Sequence, residues 1–338
     1  MINFLLPAIV SLSLTILTIP PTIKLAKKFS LVDKERTVPR AGGLSVFIAL
    51  FFTILIFTPI DIISLGILTS LIILVIVGIA DDKYRNLSPY LRLFCQFIAA
   101  TIVVSFGLGI NFITNPLGGI IHLNIVRFLP QILAVIWIVW VMNMINWSKG
   151  VDGQMPGIVT ISAIILGLLS LKLSSPDFSQ DNVARLSFVT AGSALGLLFF
   201  NWHPAKIFPG FSGSTILGFM LAVLAILSGA KLATALLVLL IPATDFVYTF
   251  VRRILQGKSP VWGDRGHLHH KLLEAGLTHQ QISLFYILGS VILGAAALTL
   301  SSSGKLFAAS LVAGVLLGAI LWLNFFGGLS KPPELDNG

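Results

Sequence analysis

Residues 62–80 read IISLGILTSLIILVIVGIA, a run without a charged side chain that ends directly before Asp81 and Asp82. About 20 apolar residues in a helix span the hydrocarbon core of a bilayer. A helix is the expected form because backbone groups in lipid must bond within their own segment. This stretch therefore predicts a transmembrane helix that ends in a pair of carboxylates.

Runs of the same kind recur along the chain. Of its 338 residues, 56% are hydrophobic and 10% are charged, whereas about a quarter of a soluble domain is charged. The sequence therefore predicts an all-α, polytopic transmembrane helical bundle of about eleven spans. We expect a single domain over residues 1–330 and a disordered cytoplasmic tail over residues 331–338. The expected spans lie near residues 3–23, 42–60, 62–80, 91–110, 128–147, 157–173, 184–201, 213–229, 231–255, 280–300 and 305–326.

The distribution of lysine and arginine predicts the orientation of the bundle. With eleven spans and the N-terminus outside, the inner loops hold seventeen of the 22 basic residues, which is a strong positive-inside bias. We interpret the net charge of +9 as this orientation signal and expect no nucleic-acid partner. No basic residue precedes the first apolar run, so we expect a retained span in a multi-pass protein of the inner (plasma) membrane.

The first candidate site is the acidic pair Asp81 and Asp82 on the cytoplasmic side. Adjacent carboxylates at a helix C-terminus repel each other and oppose the helix dipole. A cation or a basic substrate group would compensate them. The alternative is a solvated loop start, with Lys83 and Arg85 as the partners.

A second cluster closes the fifth expected span. Asn143 and Asn146 are three residues apart and share a helix face, and Lys149 and Asp152 follow in a glycine-containing turn. Polar groups at membrane depth usually face a cavity, and a lysine suits a phosphate group. We therefore favour a binding site over a simple capped helix end.

A third segment runs from Lys206 to the glycines and serines of residues 210–214. Free backbone amides at a helix start suit an anion. Ordinary capping by Ser212 or Ser214 explains the pattern equally well.

The last cytoplasmic loop contains Arg265, His267, His269 and His270. It has neither the HExxH spacing nor the cysteine partner of a zinc site. The pattern favours an anionic ligand such as a diphosphate, with anionic lipid headgroups as the alternative. Taken with the carboxylates and amides, it predicts phosphoryl transfer at the cytoplasmic face, with a hard cation such as Mg²⁺ and a lipid substrate.

From about Asp33 to Glu274, the motifs resemble those of the polyprenyl-phosphate N-acetylhexosamine-1-phosphate transferases of glycosyltransferase family 4. The form of the histidine loop is similar to the branch that initiates surface glycans, which is related to phospho-N-acetylmuramoyl-pentapeptide transferase. The segments that carry the resemblance are Pro39-Arg-Ala-Gly-Gly43, Asp81-Asp82 with Leu87-Ser-Pro89, Leu91-Arg-Leu-Phe-Cys-Gln96, Asn143-x-x-Asn146 with Gly150-Val-Asp152-Gly153, Phe200-Asn-Trp-His-Pro-Ala-Lys206 and Asp264-Arg-Gly-His-Leu-His-His270.

The resemblance implies transfer of a sugar-1-phosphate, an N-acetylhexosamine phosphate, from a UDP-sugar to undecaprenyl-type phosphate, with release of UMP and use of Mg²⁺. The product would start a cell-wall or surface glycan, such as peptidoglycan or lipopolysaccharide. The expected partners are the polyprenyl phosphate, the UDP-sugar and membrane lipids, and a homodimer is left open. With the clusters above, it assigns catalytic roles to Asp81, Asp82 and Asp152, a metal contact to Asn146, and substrate binding to Asn143, Lys149, Lys206, Arg265, His267, His269 and His270.

Three departures from the family pattern bear on the metal. Phe211 stands where family members carry their main aspartate ligand to magnesium, and Lys149 stands where they usually have another aspartate. The first cytoplasmic loop also lacks the usual basic and histidine-rich insert. The two substitutions change the local charge by three units, so the sequence predicts weakened or lost Mg²⁺ binding unless Phe211 is compensated.

Three functions therefore compete. The first is an active transferase in which other aspartates hold the metal or Lys149 partly replaces it. The second is a degenerate homologue that binds lipid phosphate or nucleotide sugar without turnover. The third is a transporter, which is disfavoured because the polar sites cluster on one side and not at the bilayer midplane.

Overall fold

The computed structural model describes residues 2–33, 36–84, 87–115, 118–173, 179–229, 232–259, 262 and 266–326. Arg265 and the expected tail at residues 331–338 lie outside these described residues.

Thirteen helices and one short hairpin form the described part of the chain. The hairpin joins β1 (Phe112–Thr114) to β2 (Ile120–His122) between the fourth and fifth helices, and it pairs Ile113 with Ile121. The helices are α1 (Ile2–Lys28), α2 (Gly42–Phe57), α3 (Ile62–Tyr84), α4 (Pro89–Ser105), α5 (Leu129–Trp147), α6 (Gln154–Lys172), α7 (Ser179–Asn201), α8 (Gly210–Leu227), α9 (Leu232–Val238), α10 (Leu240–Leu255), α11 (Leu268–Glu274), α12 (His279–Thr299) and α13 (Ser302–Phe326).

The prediction of an all-α polytopic membrane protein is confirmed. Eight of these helices are long and apolar enough to cross a bilayer, and α9 and α10 together would make a ninth crossing. The shorter apolar helices α2 and α4 account for the other two expected spans. Each of the eleven expected segments thus corresponds to one helix or to the α9–α10 pair.

The ninth expected span differs from a single continuous helix. It divides into α9 and α10, which are bent by 86° relative to each other. Pro242 explains the break, because it has no backbone N–H to donate to Val238 and its ring crowds that carbonyl. The short helix α11, which includes His269 and His270 of the expected histidine loop, was not predicted either.

Helix α8 lies at the centre of the bundle. Every residue from Gly210 to Ile226 is buried, as expected for a helix that is apolar on all sides. Helices α2, α3, α5, α6 and α7 pack around it. In contrast, α13 exposes large apolar side chains such as Phe307, Val315 and Trp322, which suits a surface that faces lipid.

Two glycines allow neighbouring helices to approach the first turn of α8 closely. A Cβ atom at Gly43 of α2 would collide with the backbone of Gly213 and the side chain of Ser212, and one at Gly78 of α3 would collide with Ser212. The backbone amides of Gly42 and Gly43 also donate to the carbonyls of Phe208 and Pro209, at 3.0 Å each. The start of α8 is therefore clamped between α2 and α3.

We expect Gly78→Ala to destabilise the protein because its new methyl group would push α3 away from α8. Overpacking of this kind costs about 1–3 kcal/mol. Gly314→Ala in α13 is the matched control, since no atom lies within 4 Å of the added Cβ. Unfolding in mixed micelles measures both free energies, and equal stability of the two variants would contradict the clamp.

Candidate active site

Several helix ends meet at one end of the bundle. Asp82 near the end of α3 contacts the start of α8, and Lys149 just after α5 contacts Gly210 and Ser214 at the same place. The segment before α2 joins them, because the amide of Phe208 donates to the carbonyl of Pro39 at 2.7 Å. The predicted polar clusters therefore converge on the start of α8.

Asp82 holds the first turn of α8. Its buried carboxylate accepts hydrogen bonds from the backbone amides of Phe211 at 2.6 Å and Ser212 at 3.2 Å, and from the Ser212 hydroxyl at 2.7 Å. These amides have no partner within the helix, and the positive end of the helix dipole favours a carboxylate. The bonds occupy both oxygens of Asp82.

Asp81, the other member of the acidic pair, points to a different partner. Its Oδ1 lies 2.7 Å from Nε of Arg92 in α4. The carboxylate is buried, whereas the Arg92 side chain is 30% exposed. This ion pair links the ends of α3 and α4, and both of its residues line the larger cavity described below.

Lys149 lies among oxygen atoms at the centre of the convergence. Its ammonium donates to Asn146 Oδ1 at 2.7 Å, to the Gly210 carbonyl at 3.3 Å and to the Ser214 hydroxyl at 3.5 Å. Burial lowers the pKa of Lys149 to about 8, although the charge of nearby Asp82 acts in the opposite direction. The amine therefore stays mostly protonated at neutral pH.

Two cations lie over the Phe211 ring. The Lys149 ammonium is 5.7 Å from its centre, and the Arg92 guanidinium is 5.5 Å from it. Both distances permit cation–π attraction. Phe211 is buried, so it presents an apolar but polarisable surface to both positive charges.

Asp152 is held by basic groups from two other segments. Arg36 binds its two oxygens in a bidentate pair at 2.7 and 2.6 Å, and Nδ1 of His203 lies 2.8 Å from Oδ2. The amide of Ala205 donates to the same oxygen at 3.2 Å. Burial acts to raise the pKa of Asp152, but the hydrogen bonds from Arg36 and His203 outweigh it and hold the pKa below its ordinary value.

The histidine loop packs behind Lys149. His269 is buried against Gly150, where a Cβ atom would collide with the imidazole. Burial holds the pKa of His269 well below 6.5, so the ring is neutral. His267 and His270 flank it, with ring centres 5.5 and 4.3 Å away.

Asp245, an ionisable residue inside the apolar α10 segment, anchors this loop. Its carboxylate accepts a hydrogen bond from the backbone amide of Leu268 at 2.7 Å and lies 3.1 Å from Nδ1 of His267. The carboxylate thereby fixes the start of α11. The loop contributes His269 to the wall behind the site.

Two cavities meet at the convergence. The larger, of about 720 Å³, lies between α4, α5 and α10, and the smaller, of about 240 Å³, lies beside the first loop and the turn after α5. Arg40 and Lys149 line both of them. The larger cavity is also lined by Asp81, Pro89, Arg92, Leu93, Phe97, Ile136, Val139, Trp140, Asn143, Asn146, Trp147, Phe211, Phe246, Val247 and Phe250, and the smaller by Asp33, Arg36, Gly150, Asp152, Phe208, Pro209 and Gly210.

The larger cavity has a polar end and an apolar body. Asn143 and Asn146 lie at the polar end, where the Asn143 amide donates to Gln96 Oε1 at 2.7 Å. The body is formed by aromatic and aliphatic side chains of α4, α5 and α10. Such a shape can hold a lipid chain with a charged headgroup at one end.

The remaining predicted binding residue that the structure describes lies elsewhere. Lys206 is exposed, and it lines neither cavity. The three histidines do not line either cavity. The predicted role of Lys206 in substrate binding stays a prediction, as do those of the other assigned site residues.

One group of side chains in the described part of the chain has the spacing of metal ligands. Donor atoms of Asp152, His203 and His279 all lie within 4.8 Å of one another. Imidazole nitrogen suits zinc and other transition metals better than Mg²⁺. Because Arg36 already binds both oxygens of Asp152, the arrangement is better described as an arginine-held carboxylate.

Sequence reasoning missed several residues of this site. It counted Arg36 only as a signal of orientation, and it assigned no site role to Arg40, Arg92 or His203, although they lie in motifs that carry the resemblance. It did not single out His279. Arg92 lies close to Asp81 in the sequence, and this short separation could have predicted the ion pair between them. The contact of Arg36 with Asp152 joins residues 116 positions apart, and no local sequence pattern predicts it.

The fold and the site define a multi-pass membrane protein in which basic side chains join an apolar cavity to a polar one. A family profile described as Glycosyl transferase family 4 matches residues 64–229. The chain is 32% identical to a probable undecaprenyl-phosphate N-acetylglucosaminyl 1-phosphate transferase of Bacillus subtilis, over 96% of this chain and 88% of that protein.

Two other relatives extend the comparison. A decaprenyl-phosphate N-acetylglucosaminephosphotransferase of Mycolicibacterium smegmatis is 29% identical over 92% of this chain and 85% of its own length. An undecaprenyl-phosphate alpha-N-acetylglucosaminyl 1-phosphate transferase of Haemophilus influenzae is 31% identical over 80% of this chain and 79% of its own length. The chain belongs to the polyprenyl-phosphate N-acetylhexosamine-1-phosphate transferases of glycosyltransferase family 4, and is thus a sugar-1-phosphate transferase.

We expect Asp82→Asn to destabilise the fold by about 1–3 kcal/mol, because an amide nitrogen would face N–H donors at the start of α8. Asp81→Asn is the neighbouring control. It should cost less, since its partner Arg92 is partly exposed and can turn to water. Unfolding in mixed micelles compares the two, and an equal or larger loss in Asp81→Asn would contradict the assigned role of Asp82.

Proposed function

We propose that the protein transfers N-acetylglucosamine-1-phosphate from UDP-N-acetylglucosamine to an undecaprenyl-type phosphate and releases UMP. The observation that carries this proposal is the meeting of an apolar and a polar cavity at Arg40 and Lys149. A reaction between a lipid phosphate and a water-soluble nucleotide sugar needs two compartments of this kind that share cationic groups. The choice of N-acetylglucosamine and of a polyprenyl phosphate rests on the names of the relatives.

The lipid phosphate occupies the larger cavity in this proposal. Its isoprenoid chain lies along the apolar side chains of α4, α5 and α10, including Phe97, Ile136 and Phe250. Its phosphate lies at the polar end, near Arg92 and Lys149. Burial of the apolar chain supplies affinity, while the cations fix the position of the headgroup.

The diphosphate of the nucleotide sugar occupies the smaller cavity. Arg40 and Lys149 offer it positive charge, and Gly150 and Gly210 leave its backbone walls open to close approach. The predicted histidine loop lies on the same side, because His269 packs on Gly150. This placement supports the predicted nucleotide-sugar role of His267, His269 and His270.

The transfer itself is a displacement at phosphorus. An oxygen of the lipid phosphate attacks the β-phosphorus of the UDP-sugar, a new P–O bond forms, and the bond from that phosphorus to the bridging oxygen breaks. UMP leaves with the electron pair, and the total charge is unchanged when the lipid phosphate reacts as a dianion. The protein positions the two substrates and supplies positive charge, which are the main requirements of phosphoryl transfer.

The predicted catalytic aspartates contribute to this step by holding other groups in place. Asp82 fixes the start of α8, Asp81 holds Arg92, and Asp152 holds Arg36 at the edge of the smaller cavity. Asp152 also lines the smaller cavity itself, which supports its predicted direct role.

We propose the plasma membrane as the location, with the site facing the cytoplasm and the N-terminus outside. The bias of lysine and arginine toward the loops at this end of the bundle supports that orientation. The lipid-linked product would begin a cell-wall or surface glycan.

The non-catalytic alternative finds no support in the relatives, whose names describe transferases. Purified protein in detergent separates the two functions when it is given undecaprenyl phosphate and UDP-N-acetylglucosamine, with and without Mg²⁺. We expect equal amounts of UMP and lipid-linked sugar phosphate. Binding of both substrates without UMP release, for every UDP-sugar supplied, would favour the alternative.

A bulky side chain in the larger cavity should weaken only the lipid substrate. Ile136 of α5 lines that cavity, and Ile132, one turn earlier, does not; both are 54% exposed. We expect Ile136→Trp to raise KM for undecaprenyl phosphate by roughly fivefold, the equivalent of about 1 kcal/mol, with KM for the UDP-sugar unchanged. Ile132→Trp should change neither. A selective rise in KM for the UDP-sugar would reverse the assignment of the cavities.

A further inference from the structure

The Lys149 ammonium lies among oxygen atoms of the kind that hold a metal cation. Oxygen atoms of Asn146, Gly210 and Ser214 lie 2.7, 3.3 and 3.5 Å from it. Amide, carbonyl and hydroxyl oxygens are also ligands for Mg²⁺. The ammonium thus engages the amide oxygen of Asn146, the residue predicted to contact the metal.

The carboxylates predicted to act in this site are already engaged. In the described part of the chain, Asp81 pairs with Arg92, both oxygens of Asp82 accept from the start of α8, and both oxygens of Asp152 accept from Arg36. Mg²⁺ requires near-octahedral oxygen coordination and usually takes one or two carboxylates from the protein. Mg²⁺ would have to share such a carboxylate with these partners or displace them from it.

The charge at the junction opposes a second cation. Arg40, Arg92 and Lys149 all line the larger cavity, against the single carboxylate of Asp81. The Phe211 ring, which stands at the family's magnesium-ligand position, has no lone pair to offer a metal. It instead contacts Arg92 and Lys149 through its faces. Phe211 and Lys149 thus fit each other, and together they do not fit Mg²⁺.

We propose that the Lys149 ammonium is the permanent cation of the transfer site, so that the protein needs no divalent metal bound at Asn146. This inference rests on the proposed function. In the displacement described above, Lys149 faces both cavities and contacts the phosphates of both substrates. It stays protonated throughout, and it stabilises the negative charge that moves to the leaving UMP. Arg40 and Arg92 supply the remaining positive charge.

The direct test is turnover after metal removal. Purified protein is freed of metal with EDTA and supplied with undecaprenyl phosphate and UDP-N-acetylglucosamine, and UMP release is followed. We expect the rate in EDTA to equal the rate in Mg²⁺. Turnover that vanishes in EDTA and returns with Mg²⁺ would overturn the inference and leave the proposed function standing. No turnover under either condition, with any UDP-sugar, would instead overturn the proposed function, and the inference with it.

Variants of Lys149 test whether this side chain is the cation. We expect Lys149→Ala to lower kcat by roughly 100-fold, the usual cost of losing one group that stabilises the transition state. Lys149→Arg keeps the charge and should recover part of that loss. Lys28→Ala is the control, since Lys28 is an exposed lysine in the last turn of α1. A folded Lys149→Ala protein with the wild-type rate would contradict the assignment.

A metal-binding measurement gives a readout that does not depend on activity. Titration of the substrate-free wild-type protein with Mn²⁺, followed by electron paramagnetic resonance, should detect no ion bound at Asn146. One Mn²⁺ per chain that is displaced by Mg²⁺ and lost in Asn146→Ala would show that a metal site persists despite Lys149. That outcome would overturn the inference.

Discussion

The hydrogen bonds between Asp82 and the start of α8 fix the geometry on which the site depends. α8 is buried along nearly its whole length, so its free amides could not turn to water. Asp82 satisfies two of them and ties α3 to α8. The same turn presents Gly210 and Ser214 to Lys149 and Phe211 to Arg92. A movement of this turn would displace each of these contacts.

The electrostatic design of the site follows from that anchor. Its carboxylates are engaged by partners from other segments, including Asp33 by Arg40 at 3.5 Å, and Lys149 and Arg40 lie where the two cavities meet. Four basic and three acidic side chains line the two cavities, so the net charge of the lining is positive. A positive lining suits two phosphorylated substrates that would otherwise repel each other. Phe211 and Lys149, which stand where the resemblance implies aspartates, are consistent as a pair, because an aromatic face tolerates an adjacent ammonium that a metal site would exclude.

The sequence was sufficient for the helical bundle, because uninterrupted apolar runs such as residues 62–80 have few other solutions in lipid. It also singled out Asp82, Lys149 and Asp152, whose polarity is costly beside such runs, and their site roles stay predictions. It could not predict the pairing of Arg36 with Asp152, since this contact depends on how the first loop packs against the turn between α5 and α6. The break between α9 and α10 was marked only by Pro242, which a membrane helix can also accommodate by kinking.

The Lys149 ammonium is proposed to contact the phosphates of both substrates. Solid-state NMR can measure the nitrogen–phosphorus dipolar couplings of Lys149 in a complex with undecaprenyl phosphate and a non-reactive UDP-N-acetylglucosamine analogue. The Lys149→Arg protein serves as the spectral blank. We expect coupling to phosphorus atoms of both ligands at about 4 Å, the separation that a charge-assisted N–H···O bond to phosphate imposes. Coupling to neither ligand, or to only one of them, would contradict this role of Lys149.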